Sequence, residues 1–283
     1  MSDRSVWRGM TRAELDRAYD NRAAVSDSAE RLEALEAQSA RFRQERAELL
    51  DLRYGPRDRN LIDVFRCGAE AAPLLVVIHG GYWQRGAKEM FSCVAAGPLA
   101  LGMDVAMPGY TLAPDATVGQ MVEEIRAALA FLRATGPSLG VAHAGMVVSG
   151  WSAGGHLAVM AGAEPGVDAV LSISGIFDLE PCRLGALNDR LLLDIEQVDA
   201  VSPARTAQVC NGPLVLAYGM DELPELRRQS EDFVPVMKQR GATVSLLPLA
   251  GRNHFSIMED LMAPDGALAR AAFQLAGNGR AGA

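Results

Sequence analysis

The stretch Val147-Val148-Ser149-Gly150-Trp151-Ser152-Ala153-Gly154-Gly155-His156 constrains what this chain can fold into more than any other. Two β-branched residues run into Gly150-x-Ser152-x-Gly154, and a helix-forming segment, 157–163, follows. The order reads as strand, sharp turn, helix. A serine at the tip of such a turn sits in strained backbone, and side chains two positions to either side would strike neighbouring elements, so glycines stand there. The turn also aims the N–H of Ala153, beside the helix N-terminus, at the place where an oxyanion would form. The competing reading is a glycine-rich turn with a bystander serine. The strand-to-helix context favours a nucleophile.

A second stretch strengthens that reading. Leu74-Leu75-Val76-Val77-Ile78 is an apolar, β-branched run of the kind that makes a buried parallel strand. It ends in His79-Gly80-Gly81-Tyr82-Trp83. Glycines just past the end of a strand let backbone N–H groups approach a ligand, which the other half of an oxyanion hole requires. A tight turn alone would not explain why it precedes the serine motif in this order.

These residues resemble the hormone-sensitive-lipase-like branch of the α/β hydrolases, and His79-Gly80-Gly81-Tyr82-Trp83 resembles its kynurenine formamidase (arylformamidase) group. The likeness extends to Pro108-Gly109-Tyr110-x-Leu112-Ala113-Pro114, Tyr218-Gly219-x-Asp221-x-x-x-Glu225 and Asn253-His254-Phe255, and so covers the chain from about Tyr54 onward. It implies an α/β-hydrolase fold, a mostly parallel doubly wound sheet with helices on both faces. It also implies a serine hydrolase that cleaves an N-formyl aromatic amine to formate and the free amine. A carboxylesterase for short-chain acyl esters is the alternative, and a non-catalytic ligand-binding protein of the same fold a minor one.

The chain in order fits that architecture. Residues 1–50 are expected to form a helical extension, beginning with a Thr11/Glu14 capping box. A longer helix over 28–50 places Leu32, Leu35, Ser39, Phe42, Arg46 and Leu49 on one face. Packing of that face on the main domain is expected, with a lid over the site or a homodimer contact as the other roles. The hydrolase domain would span 51–283. Strands are expected over 51–54, 60–67, 74–78, 104–107, 145–149, 169–174, 214–218 and 243–249, with helices over 88–101, 118–134, 225–240, 255–262 and 266–275. The irregular segment 178–203, with a helical core near 187–195, reads as a cap over the pocket.

Chain order then assigns the chemistry, because in this fold the nucleophile precedes the acid and the acid precedes the base. Of the four histidines, only His254 follows a late strand, so it is the expected base. His79 would shape the oxyanion loop, while His143 and His156 read as surface or packed residues. The acid should lie at the end of the 214–218 strand. Asp221, Glu222 and Glu225 all stand there, with Asp194 and Asp199 as weaker competitors. The resemblance implies Asp221. The amides of Gly81 and Ala153, with Tyr82, would hold the oxyanion. Tyr82, Trp83, Tyr110 and Phe255 would line the substrate site, whereas Trp151 reads more as elbow packing.

Composition bounds the rest. A formal net charge of −8 over 283 residues, with no basic run, argues against nucleic acid or an anionic membrane as partner. Cys67, Cys93, Cys182 and Cys210 are scattered and form no C-x-x-C pair, so neither a metal site nor a disulfide framework is expected. No cofactor is implied, and the partner expected is a small-molecule substrate. No apolar run approaches the roughly 18 residues a span needs, and the charged stretch 1–10, which lacks an apolar core, is not expected to act as a signal peptide. A cytoplasmic location is expected.

Overall fold

Alternation along one central strand decides where the two cores lie. In the computed structural model, which describes residues 4–141, 145–206 and 208–278, Leu74, Val76 and Ile78 join one buried cluster while Leu75 and Val77 join another. Successive side chains of a strand point to opposite faces, so a strand covered on both faces must be apolar throughout. All five residues are fully or almost fully buried.

Eight strands make one sheet: β1 Leu52–Arg53, β2 Leu61–Phe65, β3 Leu74–Ile78, β4 Asp104–Pro108, β5 Met146–Trp151, β6 Ala169–Ile173, β7 Leu214–Gly219 and β8 Val244–Leu249. Their spatial order is β1-β2-β4-β3-β5-β6-β7-β8. β2 runs antiparallel to both β1 and β4, and the pairs from β4 through β8 are parallel. Parallel pairing demands crossovers, and helices supply them on both faces. Met121, Ile125 and Leu129 of the helix Val118–Thr135, with Leu157 of Ala153–Met160, pack into one cluster. Leu268, Ala272 and Leu275 of the helix Ala267–Asn278 pack into the other. This is the expected doubly wound sheet with its antiparallel edge. β5 lies between β3 and β6, with Ile78 level with Gly150 and Trp151 level with Ile173, so the serine motif leaves the sheet near its middle.

The first fifty residues are integral to this body. Thr11 and Glu14 form the expected capping box on the helix Arg12–Ala18, which sends Leu15 into the core, with Tyr19 following it. The long helix ends at Glu45, and a single 3-10 turn, Ala47–Leu49, follows. Of the expected face, Leu32, Leu35, Ser39 and Phe42 are buried or half-buried, whereas Arg46 is exposed beyond the helix end and Leu49 lies in the 3-10 turn. Leu35 and Phe42 pack on the second cluster, and the buried Ser39 hydroxyl donates to the Met90 carbonyl (3.0 Å) and accepts the Cys93 N–H (3.1 Å). Charge reinforces the docking, because Arg43 and Lys88 both pair with Asp63, which is fully buried on β2.

Local chemistry shortens other elements. Residues 88–101 divide into a 3-10 segment, Lys88–Ala95, and a helix, Ala96–Ala100. The segment beyond β6 holds three short helices, Glu180–Leu184, Asn188–Leu191 and Ile195–Val201. Its expected core near 187–195 is interrupted at Leu192, whose positive φ of 55° ends one helix before Asp194 caps the next. His143 lies outside the described residues. Among the described residues, no helix is long and apolar enough to cross a membrane.

Candidate active site

Ser152 holds φ 57° and ψ −118°, a strained conformation, at the junction of β5 and the helix Ala153–Met160. The flanking glycines are there because the chain passes too close for side chains. A Cβ on Gly154 would collide with the Ile78 carbonyl, and one on Gly150 with the Gly154 carbonyl. The Ser152 N–H donates to the Ile173 carbonyl at 2.8 Å and pins the turn to the neighbouring strand. Beside it, Gly81 takes φ 118°, and Tyr82 and Trp83 take φ 51° and 58°. This run of left-handed residues turns the loop after β3 back on itself. Among the described residues, no protein acceptor faces the N–H of Gly81 or Tyr82, which leaves both free for a ligand oxygen.

His254 arrives from the loop after β8. The Trp151 indole donates to its main-chain carbonyl at 2.8 Å, and the Trp151 ring lies 5.0 Å from the imidazole. The carboxylate that meets His254 is Glu222, not the expected Asp221. The imidazole Nδ1–H donates to Glu222 Oε2 at 2.8 Å. Glu222 is buried, and its Oε1 accepts the Ser174 hydroxyl at 2.6 Å and the Gly219 N–H at 2.7 Å. Asp221 is exposed and contributes only its main-chain N–H, to the Arg252 carbonyl at 3.0 Å. The turn that closes Glu222 N–H onto the Gly219 carbonyl directs the second acidic residue inward and the first outward. Ser174, which sequence reasoning did not single out, orients this carboxylate from a positive φ of 52° at the end of β6.

With Nδ1 committed to Glu222, Nε2 is the nitrogen of His254 left to act as a base. Ser152 and His254 line one cavity of about 550 Å3 together with Gly81, Tyr82, Trp151 and Phe255. Its walls also include Leu15, Asp16, Tyr19, Asn21 and Leu32 from the N-terminal segment, and Pro181, Gly185 and Leu187 from the segment beyond β6. The latter places part of the irregular segment 178–203 on the cavity wall. The former shows that the N-terminal helices both pack on the domain and wall the site.

Two of the expected substrate residues lie elsewhere. Trp83 is fully buried, and its indole N–H donates to Nδ1 of His156 at 3.2 Å. Tyr110 is also fully buried, stacks on His79 at 4.3 Å and donates its hydroxyl to the His79 carbonyl at 3.0 Å. Both rings support the loop from behind instead of lining the cavity. Tyr82 and Phe255 do line it. The Tyr82 hydroxyl is held on two sides, donating to the Tyr19 carbonyl (2.7 Å) and accepting the Asn21 amide (3.0 Å).

Of the described residues, the other two histidines, His79 and His156, are packed and neutral. Burial pushes His79 and His156 down to about 4, because a charged imidazole would lose its hydration there. His79 Nδ1–H donates to the Gly80 carbonyl (2.8 Å), and His156 Nε2–H to the Val201 carbonyl (2.7 Å). His156 therefore ties the loop after β3, the helix after Ser152 and the cap helix together. Among the described residues, no group of three or more His, Cys, Asp or Glu side chains could hold a metal ion.

The sheet order, the strained serine at its centre and the histidine–carboxylate pair beside it define an α/β hydrolase. A family model described as BD-FAE matches residues 63–223, and the chain belongs to that family. Among curated relatives, a protein of Danio rerio named kynurenine formamidase is 27% identical, with 91% of this chain and 94% of that protein covered. One of the same name from Salmo salar is 28% identical over 92% of this chain and 95% of that protein. A solved structure from Silicibacter sp. TM1040 is 28% identical and superposes with a TM-score of 0.81, covering 92% and 99% of the two chains. An esterase of Pyrobaculum calidifontis, at 20% identity and a TM-score of 0.69 over 87% and 91% of the chains, shares the fold.

Proposed function

We propose that Ser152, His254 and Glu222 act as a catalytic triad that hydrolyses an N-formyl aromatic amine of the N-formyl-kynurenine type. The observation that carries the chemistry is the 2.8 Å contact of His254 Nδ1 with buried Glu222, on the cavity that Ser152 also faces. Substrate class rests on the relatives named kynurenine formamidase, whose similarity covers 91% and 92% of this chain.

Ser152 Oγ attacks the formyl carbon while His254 Nε2 takes its proton. Glu222 holds the tautomer and stabilises the imidazolium. The oxyanion is met by the amides of Ala153 and Gly81, with Tyr82 as a further donor, each worth on the order of 3 kcal/mol. Collapse breaks the C–N bond as the imidazolium protonates the departing nitrogen. Water then attacks the formyl-enzyme, His254 again takes the proton, and formate leaves. A formyl group needs almost no acyl pocket, so the apolar rings of Tyr82, Trp151 and Phe255 are free to hold the aromatic half of the substrate.

The test is kcat/KM for N-formyl-kynurenine against nitrophenyl acetate and butyrate on one preparation. Cleavage of the formamide, with acetate preferred to butyrate, is expected. An enzyme that leaves the formamide intact and prefers butyrate is a carboxylesterase.

A further inference from the structure

The nucleophile and the acid come from distant parts of the chain, yet adjacent residues of one strand hold them both. The Ile173 carbonyl, at the end of β6, accepts the Ser152 N–H at 2.8 Å. The next residue, Ser174, donates its hydroxyl to Glu222 Oε1 at 2.6 Å. Its main chain is tied as well, the N–H donating to the Ala217 carbonyl of β7 at 2.7 Å. Ser174 is fully buried and holds φ 52°, a conformation that strains any residue with a Cβ. Glycine adopts it freely. A glycine does stand beside it, but Gly175 is needed where it is, since a Cβ there would collide with the Ser172 hydroxyl and the Phe177 ring. A serine is therefore kept where the backbone favours glycine, and among the described residues its hydroxyl has one partner, Glu222.

Glu222 needs such an anchor. A glutamate has one more rotatable bond than an aspartate, so holding its carboxylate in one orientation costs more conformational freedom. Here Oε1 takes two donors, the Ser174 hydroxyl and the Gly219 N–H at 2.7 Å, which leaves Oε2 to accept from His254 Nδ1 at 2.8 Å. The Gly219 amide belongs to the turn that carries Glu222 itself, so it moves with the acid. Of the two donors on Oε1, Ser174 is the one that refers the acid to the strand holding the nucleophile.

We propose that Ser174 is a positioning residue of the triad, whose hydroxyl registers Glu222 to Ser152 through the end of β6 and fixes which carboxylate oxygen meets His254. The inference rests on the reading of Ser152, His254 and Glu222 as a triad, but not on the formyl group as substrate. Hydrogen bonds to a carboxylate are among the stronger ones. Without this one the carboxylate is free to turn, and the imidazole loses the orientation from which Nε2 takes the serine proton.

Ser174→Ala and Ser174→Gly separate the hydroxyl from the backbone. Both remove the donor, but glycine accepts φ 52° and alanine does not. On nitrophenyl acetate, with active sites counted by phosphonate titration, each should lower kcat by about tenfold to a hundredfold and move KM by less than about twofold. Ser174→Gly should nonetheless unfold at a higher temperature than Ser174→Ala. The low-field proton resonance of the His254–Glu222 hydrogen bond should shift or broaden in both. In a Glu222→Gln background, Ser174→Ala should change turnover by less than about twofold, because residues that act as a unit are lost together. A role in the backbone alone predicts native kcat and an unmoved resonance in Ser174→Gly, and that result overturns the proposal while the triad stands. A Glu222→Gln variant with native turnover would overturn the triad reading itself, and the role of Ser174 with it.

Discussion

Asn21 donates its side-chain amide to the Tyr82 hydroxyl at 3.0 Å, so a residue of the N-terminal extension holds a residue of the loop beside the nucleophile. Tyr82 has φ 51°, a conformation that a tyrosine keeps only when its surroundings enforce it. The Tyr19 carbonyl, accepting the same hydroxyl at 2.7 Å, supplies the second restraint. Losing the amide should let the loop relax. Asn21→Ala is therefore expected to reduce kcat by roughly tenfold, the scale of one lost hydrogen bond, with a smaller change in KM. Steady-state kinetics on a phenyl ester check it, and an effect confined to KM would assign Asn21 to substrate binding alone.

Removal of residues 1–50 should have a larger effect. That segment contributes Leu15 and Tyr19 to the core and much of the cavity wall, and the Leu35 and Phe42 face covers apolar surface on the domain. The shortened chain is expected to lose solubility and activity together. A soluble, fully active truncation would show the extension to be dispensable.

The acid is the sharpest test of the site. In Glu222→Gln, the amide oxygen can still accept from Ser174 and Gly219, so the fold should survive. The amide nitrogen would then donate to His254 Nδ1 and place the imidazole proton on Nε2, where it blocks attack by Ser152. A drop in kcat of about 10⁴ is expected. Asp221→Asn should stay within about twofold, since that side chain is exposed. Kinetics of the two variants side by side decide, and the reverse ranking would return the role to Asp221.

The contrast between those neighbours marks how far the letters could be read. The sheet, its crossovers, the elbow at Ser152 and the lateness of His254 all follow from periodicity and chain order, which are properties of long segments. Whether Asp221 or Glu222 faces inward depends on one turn, in which Glu222 N–H closes onto Gly219 and its carboxylate returns to the Gly219 amide. That turn is set by the close approach of Gly219 and Asp221 to Arg252 in the loop after β8, a partner distant in sequence that the pattern around Asp221 and Glu222 does not reveal. Trp83 and Tyr110 were misplaced for a related reason. An aromatic residue after a glycine-rich loop can face a ligand or support the loop from behind, and the choice was settled by partners distant in sequence, His156 for one and His79 for the other. The cavity wall from Leu15 to Leu32 carried no motif at all, because it is assembled only when the first helices dock.

Covalent labelling addresses the nucleophile directly. An aryl phosphonate should modify the intact protein once, at Ser152, and peptide mass spectrometry should locate the adduct there. Ser152→Ala should remain folded, lose several orders of magnitude in turnover and resist labelling. Labelling of that variant at the native rate would displace Ser152 from the role.

Acid stability follows from the two packed histidines. His79 and His156 are buried, and burial lowers both from an ordinary 6.5 to about 4. Between those values the unfolded chain binds protons that the native protein does not, so stability rises with pH across the window. The stabilising contribution is complete above about pH 6.5 and is lost as pH falls toward 4, on the order of 3 kcal/mol for each group. His156 is the more tractable of the two, because its partners, the Trp83 N–H and the Val201 carbonyl, require one acceptor and one donor. A glutamine side chain can offer both without titrating. His156→Gln should therefore cost some stability at pH 7 through imperfect packing, yet show a shallower decline between pH 6.5 and 4 than the native protein. Urea denaturation at half-unit pH steps measures both slopes. Parallel declines would mean that His156 binds its proton equally in the folded and unfolded chains, and the acid sensitivity would then have to come from His79 or the carboxylates.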